Sequence, residues 1–445
     1  MDTAAATLVV NKSHYRLSSG QACLTTFSEV HRELVSELAS RPTTPSVVLA
    51  LRRQVGEAMA KTLLDIAGCQ PKAVAKFGNG FWMVTLRSLQ QATDSVVANY
   101  KASLFQDRIV VDLCGGVGGD AMGFARRGSV VTVDLDPQMT RMAAENLRSI
   151  QAASAVAVNS DAMTYFTSKQ LLSAKTGLHI DPDRRPDEQR TTSVDRYSPN
   201  FDFVAAMIDA CDSAIVKLAP ASQIDKIHST RHHRQWISFA GSVREQSLIC
   251  GTCIDIAGLT RGGCSAVRLF RDGQSEVYAP LNRCESGSRL QIAAMPLRYV
   301  VDIDPAVRAA GLSASLAMDR ELACLGDASG FFTTDQVPSG QVPSDRVASE
   351  LIPSEQVSSG EGLHDRGMMQ VFECFWSGPA DIKQLRKAVR DLSLSVNVVK
   401  VRGTGHDPAI LQSTLRTKES GKPATLLIGR SGMGVYAVLG SPIPA

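Results

Sequence analysis

One glycine-rich turn between two short apolar runs limits what this chain can fold into more than any other stretch of its 445 residues. Ile109-Val110-Val111 reads as a buried strand that ends in Asp112 and opens into Gly115-Gly116-Val117-Gly118-Gly119. Ala121 to Arg127 has helical spacing and stops at Gly128. Val130 to Val133 is the next strand, closed by Asp134. Pro137 then starts a second helix that runs past Asn146. Strand, turn, helix, strand, turn, helix is the opening unit of a doubly wound α/β sheet, and its first turn is where a nucleotide-like ligand sits.

Two cofactor classes use such a turn. Gly116-Val117-Gly118-Gly119-Asp120-Ala121 satisfies the dinucleotide pattern in its Gly/Ala form, and Asp134 lies 19 positions past Gly115, close to the ~20 expected of a ribose-binding acid. Glycines alone therefore do not separate NAD from S-adenosylmethionine. The carboxylates do. A pyrophosphate needs bare amides at a helix N-terminus, and nearby anions repel it. Asp112 and Asp120 flank this loop on both sides. S-adenosylmethionine has no phosphate and carries a sulfonium and an ammonium, so an acidic loop favours it.

The rest of the chain is read around that unit. Its length predicts more than one domain. Residues 1–105 read as a mainly helical N-terminal region, with helices over Phe27–Leu38, Ser46–Ala67 and Thr85–Phe105. It is either a cap over the nucleotide site or a separate helical domain. Residues 106–275 carry the sheet, with further strands near Ala155–Val158, Gly177–Ile180, Ala214–Leu218, Trp236–Phe239, Gln246–Ile249 and Ala266–Leu269. Residues 276–332 read as a connecting segment. Residues 333–364, with degenerate repeats such as Gln336-Val337-Pro338-Ser339, read as a disordered insert, because they offer too little to bury. Residues 365–445 read as a small α+β domain. Its basic side chains, among them Lys383, Arg386, Lys387, Arg390, Lys400 and Arg402, outnumber its acids. That domain is the expected phosphate-tracking surface.

Bulk properties exclude some classes. The net charge is only +3, so nucleic-acid binding has to come from a local patch. The ten cysteines are scattered, without the spacing of a secreted framework, which predicts a reducing, cytoplasmic setting. No run approaches the ~18 apolar residues of a membrane span. Cys250, Cys253 and Cys264 raise zinc, but only Cys284 or a distant His could complete a set of four, and cysteines in a strand are ordinary core residues, so no metal is expected. His232 and His233, between Arg231 and Arg234, read as a solvated or phosphate-contacting loop.

Taken together, these motifs resemble class I S-adenosylmethionine-dependent methyltransferases. They are most similar to the bacterial methyltransferases that carry a C-terminal THUMP-like domain, relatives of the trimethylguanosine synthase (cap guanine-N2) group. Asp112-Leu113-Cys114-Gly115-Gly116-Val117-Gly118-Gly119-Asp120 and Val133-Asp134-Leu135-Asp136-Pro137 match the first two motifs. Trp82-Met83-Val84-Thr85, Asp181-Pro182-Asp183-Arg184-Arg185, Val216-Lys217-Leu218-Ala219-Pro220, Asp304 to Gly311 and Pro423 to Leu426 resemble later ones. The fourth motif departs from the cap-synthase pattern: Asp183 and Arg184 stand where that group has an aromatic residue to stack the base.

The resemblance implies a Rossmann-like methyltransferase sheet and S-adenosylmethionine as cofactor. Asp134 would take the ribose hydroxyls, and Asp161 the adenine amine. Asp112 and the amides of Gly115 and Gly118 would hold the methionine end, with Gly116, Asp120 and Thr85 completing the contacts. Asp181, Pro182 and Arg184 would form the catalytic group. The implied reaction is methylation of a base nitrogen of RNA. The alternatives are a protein or small-molecule acceptor, or an RNA-binding protein without activity.

Overall fold

The computed structural model describes residues 29–106, 108–169, 176–184, 191–280, 290–327, 330–338, 368–416, 421–432 and 434–443. The chain divides into two compact units, Met1–Ala67 and Gly68–Ala445. The first contains helices Glu29–Ser40 and Pro45–Val55 and the start of Glu57–Phe77. Thr44 caps the second helix, and Pro45 occupies its first turn, where a missing N–H costs nothing. The single helix expected over Ser46–Ala67 is broken at Gly56, whose φ of 82° lies in the left-handed region. The following helix then runs through Gly68 rather than stopping there. A mid-helix glycine costs only about 1 kcal/mol, and Leu63, Ile66, Ala73 and Phe77 all bury their side chains along that helix.

The second unit holds a nine-stranded sheet. Its strands are β1 Ile109–Leu113, β2 Val130–Asp134, β3 Ala155–Asn159, β4 Thr176–Ile180, β5 Ser213–Leu218, β6 His233–Phe239, β7 Ser242–Gly251, β8 Cys264–Leu269 and β9 Ser275–Tyr278. Their spatial order is β3-β2-β1-β4-β5-β7-β6-β8-β9. The first five run parallel, with Val111 opposite Val131 and Leu178, and Leu178 opposite Ala214. β7 is antiparallel to both its neighbours. Strand order reverses between β1 and β4, so their carboxyl ends diverge and leave a crevice, the place where open α/β sheets bind ligands.

Helices Gly119–Ala125, Pro137–Ser149, Ala162–Lys169 and Phe201–Asp209 connect the parallel strands. Asp136 caps the second of these by accepting from the Gln138 amide at 2.7 Å. The helix expected over Thr85–Phe105 is two helices, Leu86–Gln91 and Ser95–Ser103, interrupted at Ala92-Thr93-Asp94. Thr85 and Ser88 form a capping box at the first. The second lies so close to Gly119–Ala125 that a side chain at Gly123 would meet the Ala98 backbone at 2.6 Å.

A second sheet follows, made of β10 Tyr299–Ile303, β11 Ala323–Leu325, β12 Phe331–Thr334, β13 Met369–Pro379, β14 Leu394–Val401, β15 Lys422–Ser431 and β16 Gly434–Pro442. Its order is β11-β12-β10-β13-β16-β15-β14. The stretch expected to be a connection, 276–332, therefore supplies most of three strands of this sheet. The expected insert boundary at Thr333 falls inside β12. Thr333 is buried there, with its hydroxyl donating to the Tyr299 carbonyl at 2.7 Å. The rest of the expected insert, from 339 to 364, lies outside the described residues. Helix Ile382–Asp391 lays Leu385, Ala388 and Val389 against Leu426, Ile428 and Leu439 of the sheet.

Candidate active site

A cavity of about 1100 Å³ opens where β1 and β4 part. Small-molecule pockets usually span about 300–1,000 Å³, so this one has room for a cofactor and an acceptor side by side. Its walls are the turn after β1, the ends of β2, β3, β4 and β5, and residues from the Thr85–Val97 stretch. The turn is built from backbone that glycine alone fits. A Cβ on Gly115 would sit 1.9 Å from the Thr132 hydroxyl and 2.7 Å from Asp112 Oδ2. Gly116 and Gly118 have φ of 55° and 82°, and the space beside Gly116 is open, so a ligand can approach that backbone closely.

Carboxylates surround the turn. Asp134 Oδ2 accepts from the Gly116 amide at 2.8 Å, and Oδ1 accepts from the Asp136 amide at 2.9 Å. Burial pushes the Asp134 carboxyl above the ordinary range, and these two amides pull it back only in part. Asp161 caps helix Ala162–Lys169, with Oδ1 accepting from the Thr164 amide at 2.9 Å and hydroxyl at 3.0 Å. Asp181 ends β4 and lies a quarter exposed to the cavity. The acids Asp134, Asp161 and Asp181 thus mark three successive strand ends around one space. At the turn and the strand ends the carboxylates and open amides fit a cationic, hydroxyl-bearing ligand better than a pyrophosphate, while Lys76, Arg87, Arg184, Lys217 and Arg244 line other parts of the cavity wall.

Residues 107–179 match the model of the RNA cap guanine-N2 methyltransferase family. Two curated relatives, from Mycobacterium tuberculosis strains CDC 1551 and H37Rv, are named uncharacterized S-adenosylmethionine-dependent methyltransferases. Each is 24% identical over 357 residues, covering 79% of this chain and 86% of its own. The crystal structure of a protein of Porphyromonas gingivalis W83 classed as a methyltransferase superposes with a TM-score of 0.68. It does so at 15% identity, over 94% of this chain and 98% of that one. By fold and by likeness this is an S-adenosylmethionine-dependent methyltransferase.

Not every acid of this methyltransferase lies where the sequence suggests. Asp112, expected to hold the methionine end, is fully buried beneath Gly115. Its Oδ2 accepts from the Thr132 hydroxyl at 2.9 Å, and its Oδ1 lies 2.7 Å from His179 Nδ1. Asp120 borders the cavity, but its charge is taken up internally. Thr93 donates to Oδ2 at 2.6 Å, and the Lys101 ammonium lies 2.7 Å from Oδ1. Burial alone would raise the Asp120 carboxyl, but Lys101, His179 and Lys217 hold it well below the usual carboxylate range. Both departures have one cause: a carboxylate out of water must find partners. The flanking pair that favoured a cationic cofactor is therefore tied into the scaffold, while the acids at the later strand ends, Asp134, Asp161 and Asp181, also line the cavity.

Thr85, Pro182 and Arg184 all line the cavity. The turn after β4 is pinned by paired backbone bonds between Asp183 and Ser198, at 2.8 and 3.0 Å. Arg185 lies outside the described residues. His232 and His233 do not form a solvated loop: both are buried, and His233 bonds the Thr260 carbonyl and the Ser265 hydroxyl. Cys250 and Cys253 are buried, and among the described residues no group of His, Cys, Asp or Glu is placed to hold a metal ion.

The residue that sequence reasoning missed is Lys217. β5 reads Ser-Ala-Ile-Val-Lys-Leu and is buried throughout. Lys217 Nζ donates to Asp181 Oδ2 at 2.6 Å and to the Thr93 hydroxyl at 2.9 Å. Burial lowers its ammonium, but Asp181, then Asp120 and Glu245, more than reverse this, and it is held well above the usual lysine range. A lysine inside an otherwise apolar strand was the available signal, since a buried cation needs a carboxylate.

Proposed function

We propose that this enzyme methylates a base nitrogen of RNA, with S-adenosylmethionine bound across the turn after β1. In this reading Asp134 accepts the ribose hydroxyls, Asp161 accepts from the adenine amine, and the Gly116 and Gly118 backbone lies along the methionine. The cofactor brings an already activated methyl group. What the chain must add is position, an in-line approach and a dry site.

The observation that carries the reading is Asp181 at the end of β4. One of its oxygens is held by Lys217, and the carboxylate borders the cavity beside Pro182. An amine on a base is a poor nucleophile because its lone pair is delocalised into the ring. A carboxylate accepting its N–H helps to localise that pair on nitrogen. With the donor bound, the Asp181 carboxylate would accept the proton that the nitrogen gives up as it takes the methyl group. The likeness of residues 107–179 to RNA cap guanine-N2 methyltransferases and the basic face of helix Ile382–Asp391 support RNA as the acceptor. The match ends at residue 179, before Asp181, and the fourth motif departs from the cap-synthase pattern at Asp183 and Arg184. Cap-guanine specificity therefore does not carry over, and guanine N2 is one acceptor among the base nitrogens. The sequence resemblance of residues 365–445 to a THUMP-like domain supports the same choice of RNA. The scattered cysteines fit work in the cytoplasm.

Asp181→Ala tests this directly. Asp181 would bond the acceptor most strongly in the transition state, so kcat should fall by about 100-fold or more, within the range for such groups. S-adenosylmethionine affinity by calorimetry should change less than about threefold. Full activity in this variant would remove the acceptor site from the end of β4.

A further inference from the structure

Asp181 does not stand alone, and the way it is held goes beyond the reading above while resting on it. Lys217 Nζ lies 2.6 Å from Asp181 Oδ2 and 2.9 Å from Thr93 Oγ1. The Thr93 hydroxyl donates at 2.6 Å to Asp120 Oδ2, on the helix that follows the glycine turn. Asp120 in turn meets Lys101, which reaches Glu245 at 2.9 Å and His179 at 3.3 Å, and His179 meets Asp112 under Gly115. One run of buried polar contacts thus joins the end of β4 to both ends of the turn after β1.

We propose that Lys217 is a positioning residue for methyl transfer: it fixes the Asp181 carboxylate toward the acceptor and sets it, through Thr93, in register with the glycine turn that carries the methyl donor. Stability alone does not account for this lysine. An ion pair taken out of water is on balance neutral or unfavourable beside apolar residues of similar volume, and Ala214, Ile215, Val216 and Leu218 on the same strand show that apolar side chains pack there. Three features match a positioning role. The Lys217 side chain is 7% exposed, so water competes little for its donors. Its partner is the one acid of this network that is a quarter open to the cavity. Thr93 sits at the helix break between Gln91 and Ser95, a local departure from helix that brings its hydroxyl between Lys217 and Asp120. Displacement of a reacting group by about 1 Å costs on the order of 100-fold in rate, which is the effect a fixed ammonium prevents.

The test is a double-mutant cycle between Lys217→Met and Asp181→Asn. Methyl transfer is read from labelled S-adenosylmethionine into an extract of cells lacking the gene, which offers every acceptor class; ribonuclease treatment then reports the acceptor class. Lys217→Met should lower kcat on the order of 100-fold and leave calorimetric affinity for S-adenosylmethionine within about threefold. In the Asp181→Asn background the same change should alter kcat less than about twofold, because the lysine acts only through the carboxylate. Wild-type activity in Lys217→Met with an inactive Asp181→Asn would overturn this proposal and leave the reading of Asp181 standing. Full activity in Asp181→Asn would overturn both. An equal loss from Lys217→Met in both backgrounds would make the lysine merely structural and overturn the proposal. Should Lys217→Met fail to fold, Thr93→Val carries the same cycle: it keeps the ion pair and removes the hydroxyl that seats it. A loss that vanishes beside Asp181→Asn supports the proposal, and no loss overturns it.

Discussion

At Asp134 one carboxylate serves both the fold and the ligand. Its oxygens hold the Gly116 and Asp136 amides, and the residue lines the cavity. Asp134→Ala should therefore weaken S-adenosylmethionine binding by about 1.5–3 kcal/mol, the worth of hydrogen bonds to a charged group. Calorimetry checks this, with NADH as the control that should not bind. His232 makes a different residue-scale prediction. Burial, and then His228 and Arg231, push its imidazole down to about 4. The unfolded chain takes up that proton near the ordinary 6.5, so between these values it binds more protons than the folded one. Stability should then be complete above about pH 6.5 and fall as pH drops toward 4. Melting temperatures of His232→Phe should be less acid-sensitive than those of the wild type over that window. The acids at strand ends were legible in the sequence because strand boundaries alone place them. The pairing of Asp112 and Asp120 was not, because Thr132, His179, Thr93 and Lys101 come to them from distant parts of the chain.

At the scale of elements, short apolar runs located β1 to β5 and the two helices of the opening unit, but not helix Ala162–Lys169 between β3 and β4. Sequence reasoning failed where a break depends on tertiary contact. Within Thr85–Phe105 the local hint of the interruption is Asp94, the N-cap of the second helix, and Asp120 and Lys217 hold Thr93 there from outside. Strands β11 and β12 were missed because they are three and four residues long, too short for a period to show, and β10, although as long as β1, was missed as well. The basic side chains of the last sheet also divide in a way the sequence conceals. Lys400 and Arg402 are spent on buried Asp302, at 2.9 and 3.2 Å. Lys383, Arg386, Lys387 and Arg390 remain exposed on helix Ile382–Asp391. Replacing these four with glutamine should weaken RNA binding and flatten its salt dependence, since the slope follows the number of phosphates contacted. Filter binding across a salt series checks it, and unchanged slopes would move the RNA surface elsewhere. The alternative Arg231–Arg234 stretch is a poor substitute, with both histidines buried and Arg231 paired to Asp209.

For the molecule as a whole, the central claim is that one cavity at the reversal of strand order brings a methyl donor and an RNA base together over Asp181. The most direct measurement is mass spectrometry of nucleosides from the RNA of cells lacking the gene, then complemented with the wild type or with Asp181→Ala. One N-methylated nucleoside should be missing without the gene, restored by the wild type and not restored by the variant. Identical nucleosides in all three strains would contradict it.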